Sequence, residues 1–299
     1  MAVTVEKLAT IGVVVHPHRA LDRALDTLRE WADRCDGTLV QIRMPGQDRE
    51  VAPAGDAAAC DVIAALGGDG TTLAALRAAA LVDRPVLGVA CGSLGALTAT
   101  NAEQLDEALV ALAAGEWQPR RLPGLAVSGD AGPPAQPDVA LNDLVIVRAG
   151  ASQVAIVIEL DGEPYARFAG DGLVVATPLG SSAYTMAAGG PILGPGAEGM
   201  VLTPLAAHGG CVPPLVVGSG SQVTVEVEPG HGGARVELDG QIREIESRRL
   251  RLAWRSAHAT LIQLDTAEPM LAGLRRRNII MDSPRVMARD TRAAAQTRR

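Results

Sequence analysis

The hydrophobic pattern changes near residue 120, and this change constrains the fold more than any other feature of the 299-residue chain. Before it, short apolar runs such as Ile11 to Val15 and Val62 to Leu66 alternate with helical spacing, as in Leu21 to Ala32. After it, Val154 to Leu160 and Val223 to Glu228 alternate with period two. These periodicities predict an α/β domain with a mostly parallel sheet, followed by an antiparallel β domain.

The domain limits follow from length and from breaks in the pattern. A single core stops growing near ~250–300 residues, so two units are expected. The stretch 120–140 is rich in Gly, Pro and Arg and is interpreted as a boundary or a long loop. We predict an α/β domain over 1–121 plus about 265–282 and a β domain over 122–264, with a C-terminal helix that returns to the first domain. Residues 283–299 are predicted to be a basic tail without ordered structure.

Composition excludes several classes of partner. The net charge of −7 disfavours a nucleic-acid partner, and 2% aromatic residues are too few for base-stacking platforms. Two charge-free spans, 85–102 and 172–197, are too rich in Gly, Pro, Ser and Thr for lipid-facing helices, so no membrane partner is expected.

Lysine and cysteine usage narrow the chemistry further. Lys7 is the only lysine, which excludes a P-loop and leaves arginine, metal, helix ends or backbone amides as sources of positive charge. The cysteines form no C-x-x-C pair, so free thiols in a reducing cytosol are predicted. The expected localisation is cytoplasmic.

A glycine-rich loop follows one buried strand and opens a helix: Leu66-Gly67-Gly68-Asp69-Gly70-Thr71-Thr72. Glycines here let the backbone approach a phosphate and adopt positive φ, and a helix amino terminus offers unpaired N–H donors. Because the carboxylate of Asp69 repels phosphate, its presence in this loop indicates a role other than anion binding. It would accept a proton from an attacking hydroxyl, or hold Mg²⁺ between phosphates. The alternative is a tight turn in which Asp69 caps the helix.

Three other segments are candidate sites. Gly88 to Gly95 also follows a strand and fits a plain βα turn as well as a ligand loop. Asn142 and Asp143 interrupt an apolar run, where structural hydrogen bonding and ligand binding are equally good explanations. Gly170 to Tyr184 leads from an apolar strand into a small, hydroxyl-rich turn, and Tyr184 offers a face to a base or nicotinamide ring; the alternative is a bulged hairpin.

Together these segments resemble the NAD kinase family. Gly67 to Thr71 match its Gly-Gly-Asp-Gly-Thr loop, and Asn142-Asp143 match its Asn-acidic pair. Asp171 to Tyr184 match its Asp-Gly…Thr-Pro-x-Gly-Ser-x-Ala-Tyr block, which is the most specific of the three. The motifs occur in the family's order, and the resemblance covers most of the chain.

The resemblance implies a Rossmann-like α/β N-terminal domain, an antiparallel β-sandwich-like C-terminal domain and an active site in the crevice between them. It implies ATP-dependent or polyphosphate-dependent phosphorylation of the adenosine ribose 2′-hydroxyl of NAD, giving NADP. The implied cofactor is Mg²⁺ or another divalent cation, the implied substrates are ATP and NAD, and the implied assembly is a homodimer or homotetramer.

By position, Asp69 corresponds to the family's proposed general base, and no side chain is assigned as a metal ligand. Asn142 and Asp143 would hold ribose or base groups of NAD, and some of the remaining residues would act across a dimer interface. The binding residues so implied are Gly67, Gly68, Gly70, Thr71, Asn142, Asp143, Asp171, Thr177, Ser181, Ser182, Ala183 and Tyr184.

Four positions depart from the family pattern: Ala90 replaces an asparagine, Ala96 a phenylalanine, Leu179 a threonine or serine, and Pro213 an arginine. Each change removes a donor, an aromatic surface or a cation. Two alternatives therefore stay open: a kinase of the same fold that acts on a different hydroxyl, and a non-catalytic NAD(P)-binding sensor.

Overall fold

The computed structural model describes residues 8–129, 138–244, 247–265 and 268–289. The helices are α1 (Asp22–Arg34), α2 (Asp69–Ala80), α3 (Leu105–Ala113), α4 (Pro178–Gly180), which continues as a π-helical turn (Ser181–Thr185), and α5 (Met270–Arg276). A 3₁₀ turn covers Ala57–Ala59.

The strands up to the middle of the chain are β1 (Thr10–Val15), β2 (Thr38–Gln41), β3 (Val62–Gly67), β4 (Pro85–Ala90), β5 (Thr100–Asn101), β6 (Gln118–Ser128), β7 (Asp138–Ala140), β8 (Asp143–Arg148) and β9 (Val154–Leu160). The later strands are β10 (Glu163–Gly170), β11 (Gly172–Ala176), β12 (Gly199–Leu205), β13 (Leu215–Gly218), β14 (Val223–Glu228), β15 (Ala234–Leu238), β16 (Gln241–Arg243) and β17 (Arg249–Gln263).

The N-terminal part confirms the predicted parallel sheet. β2, β1, β3 and β4 are adjacent in this order, and every pair is parallel. β3 and β4 are buried along their whole length because helices cover both faces of the sheet. On one face α1 contributes Leu25 and Leu28 to the core, and on the other α2 contributes Leu73 and Leu76.

The long strand β17 joins the two parts of the molecule. Its first residues pair antiparallel with β14, whereas Thr260 and Leu261 pair parallel with Pro85 and Val86 of β4. β6 runs antiparallel to β17 along both parts. The parallel strands and half of the β domain therefore form one continuous sheet.

The C-terminal part is a sandwich of antiparallel strands, as predicted. The second sheet has the order β13-β12-β11-β8-β15-β16. Its inward side chains, among them Ile146, Val175 and Leu202, pack on Ile158 and Val225 of the first sheet. Asp-Gly is a strong hairpin signal in sequence, and Asp239-Gly240 joins β15 and β16.

Some limits differ from those expected. The stretch expected to be a boundary or loop begins inside a regular strand, because β6 contains Arg120, Arg121 and Pro123, and the predicted division at residues 121 and 122 falls within it. Helix α2 begins at Asp69, within the glycine-rich loop. In the predicted tail, residues 284–289 are helical, and the remainder lies outside the described residues. Within the described ranges, no helix is both long and apolar enough to cross a membrane.

Candidate functional site

Asp69 stands where β3 ends and α2 begins, and its carboxylate is held by another loop. Gly68 occupies the N-cap position, and α2 has no side-chain cap. The Asp69 Oδ2 and Oδ1 atoms accept hydrogen bonds from the amides of Ala96 (2.9 Å) and Leu97 (2.8 Å). The helix-cap alternative for Asp69 is therefore wrong: the carboxylate is positioned across the loop that follows β4.

Two further residues fix this carboxylate. Arg277, just after α5, places its Nη1 3.7 Å from Asp69 Oδ2, and the Asp69 side chain keeps 39% of its exposure. Gly95 lies so close that a Cβ there would overlap the Asp69 carboxylate. The Asp69 carboxylate thus stays partly exposed while backbone amides and one guanidinium orient it.

The glycines of the loop do not act as predicted. Gly67, Gly68 and Gly70 are not among the residues with positive φ, so that expectation is wrong. Gly67 is required for space, because a Cβ would overlap the Thr71 hydroxyl. Nothing lies near the Cβ position of Gly70, which leaves room for a ligand beside the first turn of α2.

Arg19 brings a positive charge to the glycine loop, which lacks a lysine. Its Nη1 lies 3.5 Å from the Cys91 carbonyl and 3.5 Å from the Cβ position of Gly68. Arg49 holds the segment by donating to the Arg19 carbonyl (2.6 Å). Burial, then the charges of Arg19, His18 and Arg49, lowers the pKa of His16 at the end of β1. The cluster therefore favours an anion at the amino terminus of α2.

Asp239 organises the predicted Asn142-Asp143 pair. Its Oδ1 accepts the amides of Asn142 (2.7 Å) and Asp143 (3.3 Å), and its Oδ2 accepts that of Leu141 (3.1 Å). Arg77 of α2 lies 3.8 Å from Asp239 Oδ2, and the Asp239 side chain is fully buried. The pair therefore lies at the bend into β8, tied by one carboxylate to the helix that begins with Asp69.

Asn142 and Asp143 both carry unusual polar groups. The Asn142 Oδ1 atom is buried and has no hydrogen-bond partner within the described chain. Asp143 is 6% exposed, and burial, assisted by the charges of Asp239 and Glu237, raises the pKa of Asp143 to about 7. An unsatisfied buried acceptor and a carboxyl that binds a proton near neutrality fit a ligand with donor groups better than a purely structural role.

The Gly170 to Tyr184 block forms β11 and a helical turn, so the bulged-hairpin alternative is wrong. Two of its hydroxyls are structural. Thr177 donates to the Leu141 carbonyl (2.5 Å), and the buried Ser181 donates to Pro178 (2.7 Å) and accepts from the Leu193 amide (2.9 Å). These bonds shape the turn that follows β11 and contacts Asn142, and Ala183 has a non-helical backbone within it.

A cavity of about 260 Å³ lies between the two parts of the chain. Its walls are the loop that holds Asp69 (Gly95 to Ala99), β6 and β17, the turn that carries Leu179 and Ser182, the segment 194–198, and α5 with Arg277. Two departures from the family pattern, Ala96 and Leu179, line it directly.

Ser182 is the predicted site residue that lines this cavity, and Asp69, Asn142 and Asp143 lie outside its lining. Asp171 and Tyr184 line a second cavity, which contains neither Ala96 nor Ser182. There Asp171 Oδ1 accepts from Arg148 Nε (2.6 Å), and Tyr184 is 43% exposed. One copy of the chain thus places Ser182 and the contacts of Asp69 at the interdomain cavity, and Asp171 and Tyr184 outside it.

Sequence patterns missed four residues of this arrangement: Arg19, Gly95, Asp239 and Arg277. The sequence around Asp239 indicates only a hairpin, since Asp-Gly predicts a turn whatever the carboxylate contacts. Arg277 belongs to an arginine run whose members sequence cannot distinguish. Gly95 belongs to the second glycine segment, whose spacing alone could not separate a turn from a ligand loop.

Comparisons with known proteins match both parts of the chain. The ATP-NAD kinase N-terminal domain matches residues 7–117, and the ATP-NAD kinase C-terminal domain matches residues 141–262. An NAD kinase of Rhodococcus jostii is 33% identical over 273 residues, which are 80% of this chain and 82% of that protein. An NAD kinase of Nocardia farcinica is 39% identical over 228 residues, covering 72% of this chain and 70% of its own.

Solved structures share the fold. The crystal structure of yeast NADH kinase complexed with NADH superposes with a TM-score of 0.74 at 18% identity, covering 93% of this chain and 89% of the other. The crystal structure of an NAD kinase from Archaeoglobus fulgidus in complex with ATP gives a TM-score of 0.66 at 23% identity. The match covers 90% of this chain and 96% of the other.

Proposed function

The chain belongs to the ATP-NAD kinase family, and we propose that it transfers the terminal phosphoryl group of ATP to the 2′-hydroxyl of the adenosine ribose of NAD, giving NADP. One observation carries the mechanism: the Asp69 carboxylate is held by the amides of Ala96 and Leu97 beside the amino terminus of a helix and an interdomain cavity. A fixed base next to an anion site is what phosphoryl transfer to an alcohol requires.

In this mechanism Asp69 accepts the proton of the 2′-hydroxyl as the oxygen attacks the γ-phosphorus of ATP. The bond from the γ-phosphorus to the β,γ-bridging oxygen breaks, and ADP leaves. The amides at the start of α2 and the guanidinium of Arg19 face the developing charge on the phosphate oxygens. The protein contributes mainly position and charge neutralisation.

Recognition of the acceptor is assigned to the Asn142-Asp143 bend. The unpartnered Oδ1 of Asn142 is suited to accept from an exocyclic amine or a ribose hydroxyl. Asp143, whose pKa is raised to about 7, can donate when protonated and accept when ionised. Thr177 and Ser181 act indirectly, by shaping the turn that presents Ser182 to the cavity.

The residues do not fit a magnesium ion held by the protein. Within the described ranges, no three His, Cys, Asp or Glu side chains come together as a metal site, and the Asp69 carboxylate already accepts two amides. Mg²⁺ is therefore proposed as a companion of the donor's phosphates, and no step above depends on it.

The second cavity supports an oligomeric enzyme. Asp171 and Tyr184 belong to the motif block that also supplies Ser182, yet they line a separate surface. A homodimer or homotetramer would bring the Asp171 surface of one copy to the Asp69 site of another.

The free state of all four cysteines agrees with a reducing, cytoplasmic setting.

A rival acceptor is favoured by one observation: Ala96 and Leu179, which replace an aromatic and a hydroxyl residue of the family pattern, both line the cavity. Purified protein incubated with ATP, Mg²⁺ and NAD tests the choice. ATP-dependent formation of NADP is expected. A folded protein that binds ATP but yields no NADP would favour the other hydroxyl acceptor, and NAD binding without transfer to any acceptor would favour the sensor.

A further inference from the structure

Arg120 is a cation in the interdomain cavity that the proposed mechanism does not use. It lies on β6 opposite Leu261 of β17, is half-buried, and lines the cavity wall. Among the residues that the structure describes, no acidic side chain pairs with it, and burial alone lowers the pKa of Arg120.

Three other charged side chains of this cavity have partners, whereas Glu198 lines it without a partner among the described residues. Arg121 donates to Thr260 (2.7 Å) and lies 3.5 Å from Asp83. Arg277 lies 3.7 Å from Asp69. Glu268 accepts from Arg276 at 2.9 to 3.0 Å. Arg120 differs from each of these residues in lacking a counter-charge.

A guanidinium that is partly withdrawn from water without a counter-charge destabilises the protein that carries it. Around it the wall is apolar at Leu122, Leu261 and Leu274, while Thr98, Ser256 and Gln263 add groups that can donate hydrogen bonds. A half-buried cation beside several neutral donors selects an anion with several acceptor oxygens, whereas Glu198, the unpaired carboxylate of the lining, is exposed to water.

We propose that the interdomain cavity is a phosphate-binding site in which Arg120 holds the anion. The choice of phosphate over other anions rests on the proposed function, since the substrates of that reaction carry phosphates. At about 260 Å³ the cavity is smaller than the ~300–1,000 Å³ typical of whole-ligand pockets. It would therefore take one phosphate-bearing part of a bound nucleotide, or a small free phosphate compound.

Thermal unfolding of the full chain with and without pyrophosphate tests the site, with acetate as a control anion. Arg120→Gln is compared with Arg251→Gln, which removes an exposed arginine from the neighbouring strand β17. Without ligand, Arg120→Gln should be at least as stable as the wild type, because an unpaired charge is removed. The stabilisation by pyrophosphate should fall by half or more in Arg120→Gln and be unchanged in Arg251→Gln.

Steady-state kinetics identify the source of the phosphate. If it belongs to a bound substrate, the KM for NAD or ATP should rise about tenfold in Arg120→Gln with little change in kcat, since a ground-state contact is lost. If it is a free compound, both KM values stay unchanged and only the response to pyrophosphate is lost. Either pattern supports the site.

Three results would overturn the inference: undiminished stabilisation of Arg120→Gln by pyrophosphate, equal stabilisation of the wild type by acetate, or a marked loss of stability in ligand-free Arg120→Gln. Because the unfolding measurement needs no turnover, its failure is distinct from a failure to form NADP.

Discussion

Arg277, just beyond α5, lies with its Nη1 3.7 Å from Oδ2 of Asp69, at the start of α2. The segment that follows the β domain therefore returns to the first residue of the helix that the glycine loop opens. Arg276 extends this contact by donating to the Leu94 carbonyl (2.9 Å), in the loop that holds Asp69. The C-terminal helix is thus part of the frame around the proposed base.

Replacing Arg277 with Gln should lower kcat about tenfold and leave the KM for NAD nearly unchanged, because Asp69 loses an orienting charge. Arg277→Lys should recover part of the loss. Arg275→Gln is the matched control, since Arg275 in the last turn of α5 pairs with Asp282 instead. Steady-state kinetics of NADP formation measure the effect. Equal kcat values for the Arg277→Gln and Arg275→Gln variants would remove Arg277 from the account.

Gly95→Ala should displace the proposed base without removing it. The added methyl group would overlap the Asp69 carboxylate, which can rotate away because it ends a flexible side chain. We expect kcat to fall about a hundredfold with a small change in Tm, since misplacement by ~1 Å can cost this much. Gly210→Ala, where no atom lies near the Cβ position, should behave as wild type in both measurements. Retained kcat in Gly95→Ala would show that the observed carboxylate position is not the productive one.

Asp239→Asn should destabilise the fold. The fully buried carboxylate accepts hydrogen bonds from the backbone amides of Leu141, Asn142 and Asp143. In the variant, the side-chain NH₂ group of Asn would face one or more of these backbone N–H groups, so those hydrogen bonds would be lost. A loss of about 2–4 kcal/mol in the free energy of unfolding is expected, measured by urea denaturation.

The matched control for Asp239→Asn is Asp161→Asn. Asp161 also precedes a glycine, has a φ of 51°, and accepts one amide, that of Gln222, at an exposed turn. It should lose well under 1 kcal/mol. Similar losses for the two variants would contradict the organising role of Asp239.

Asp143 should make stability depend on pH. Burial, with the charges of Asp239 and Glu237, raises its pKa from 3.8 to about 7, so the folded state keeps a proton that the unfolded state loses. Its contribution to stability is complete below the unfolded pKa and is lost as pH rises to about 7, by at most a few kcal/mol. The free energy of unfolding of Asp143→Asn, measured relative to that of the wild type, should therefore be higher at pH 8 than at pH 5. An equal difference between the two proteins at both pH values would refute the shifted pKa.

Helices and strands with strong hydrophobic periodicity could be predicted from sequence. A strand buried on both faces is apolar throughout, and a helix buried on one face is apolar at helical spacing. β3 and α1 fall within a residue or two of the expected limits for this reason. The continuity of the sheet could not be predicted, since β17 changes partners midway and a strand's sequence does not name its neighbours.

The candidate site shows the same division. The glycine loop and its carboxylate could be located because strand, glycines, acid and helix are consecutive in the chain. The contacts of Asp69 with Ala96 and Arg277, and of Asp239 with Asn142, join residues far apart in sequence. Such contacts depend on tertiary packing, and local spacing carries no signal for them.

The central claim, that Asp69 takes the proton of the acceptor hydroxyl, is tested most directly by NADP formation in Asp69→Asn. The variant keeps the size of the side chain and one carbonyl acceptor for the Ala96 and Leu97 amides, so NAD binding, followed by calorimetry, should persist. Loss of a general base predicts a fall in kcat of about 10²- to 10⁴-fold. A variant that binds NAD and turns over within a few-fold of wild type would contradict the assignment.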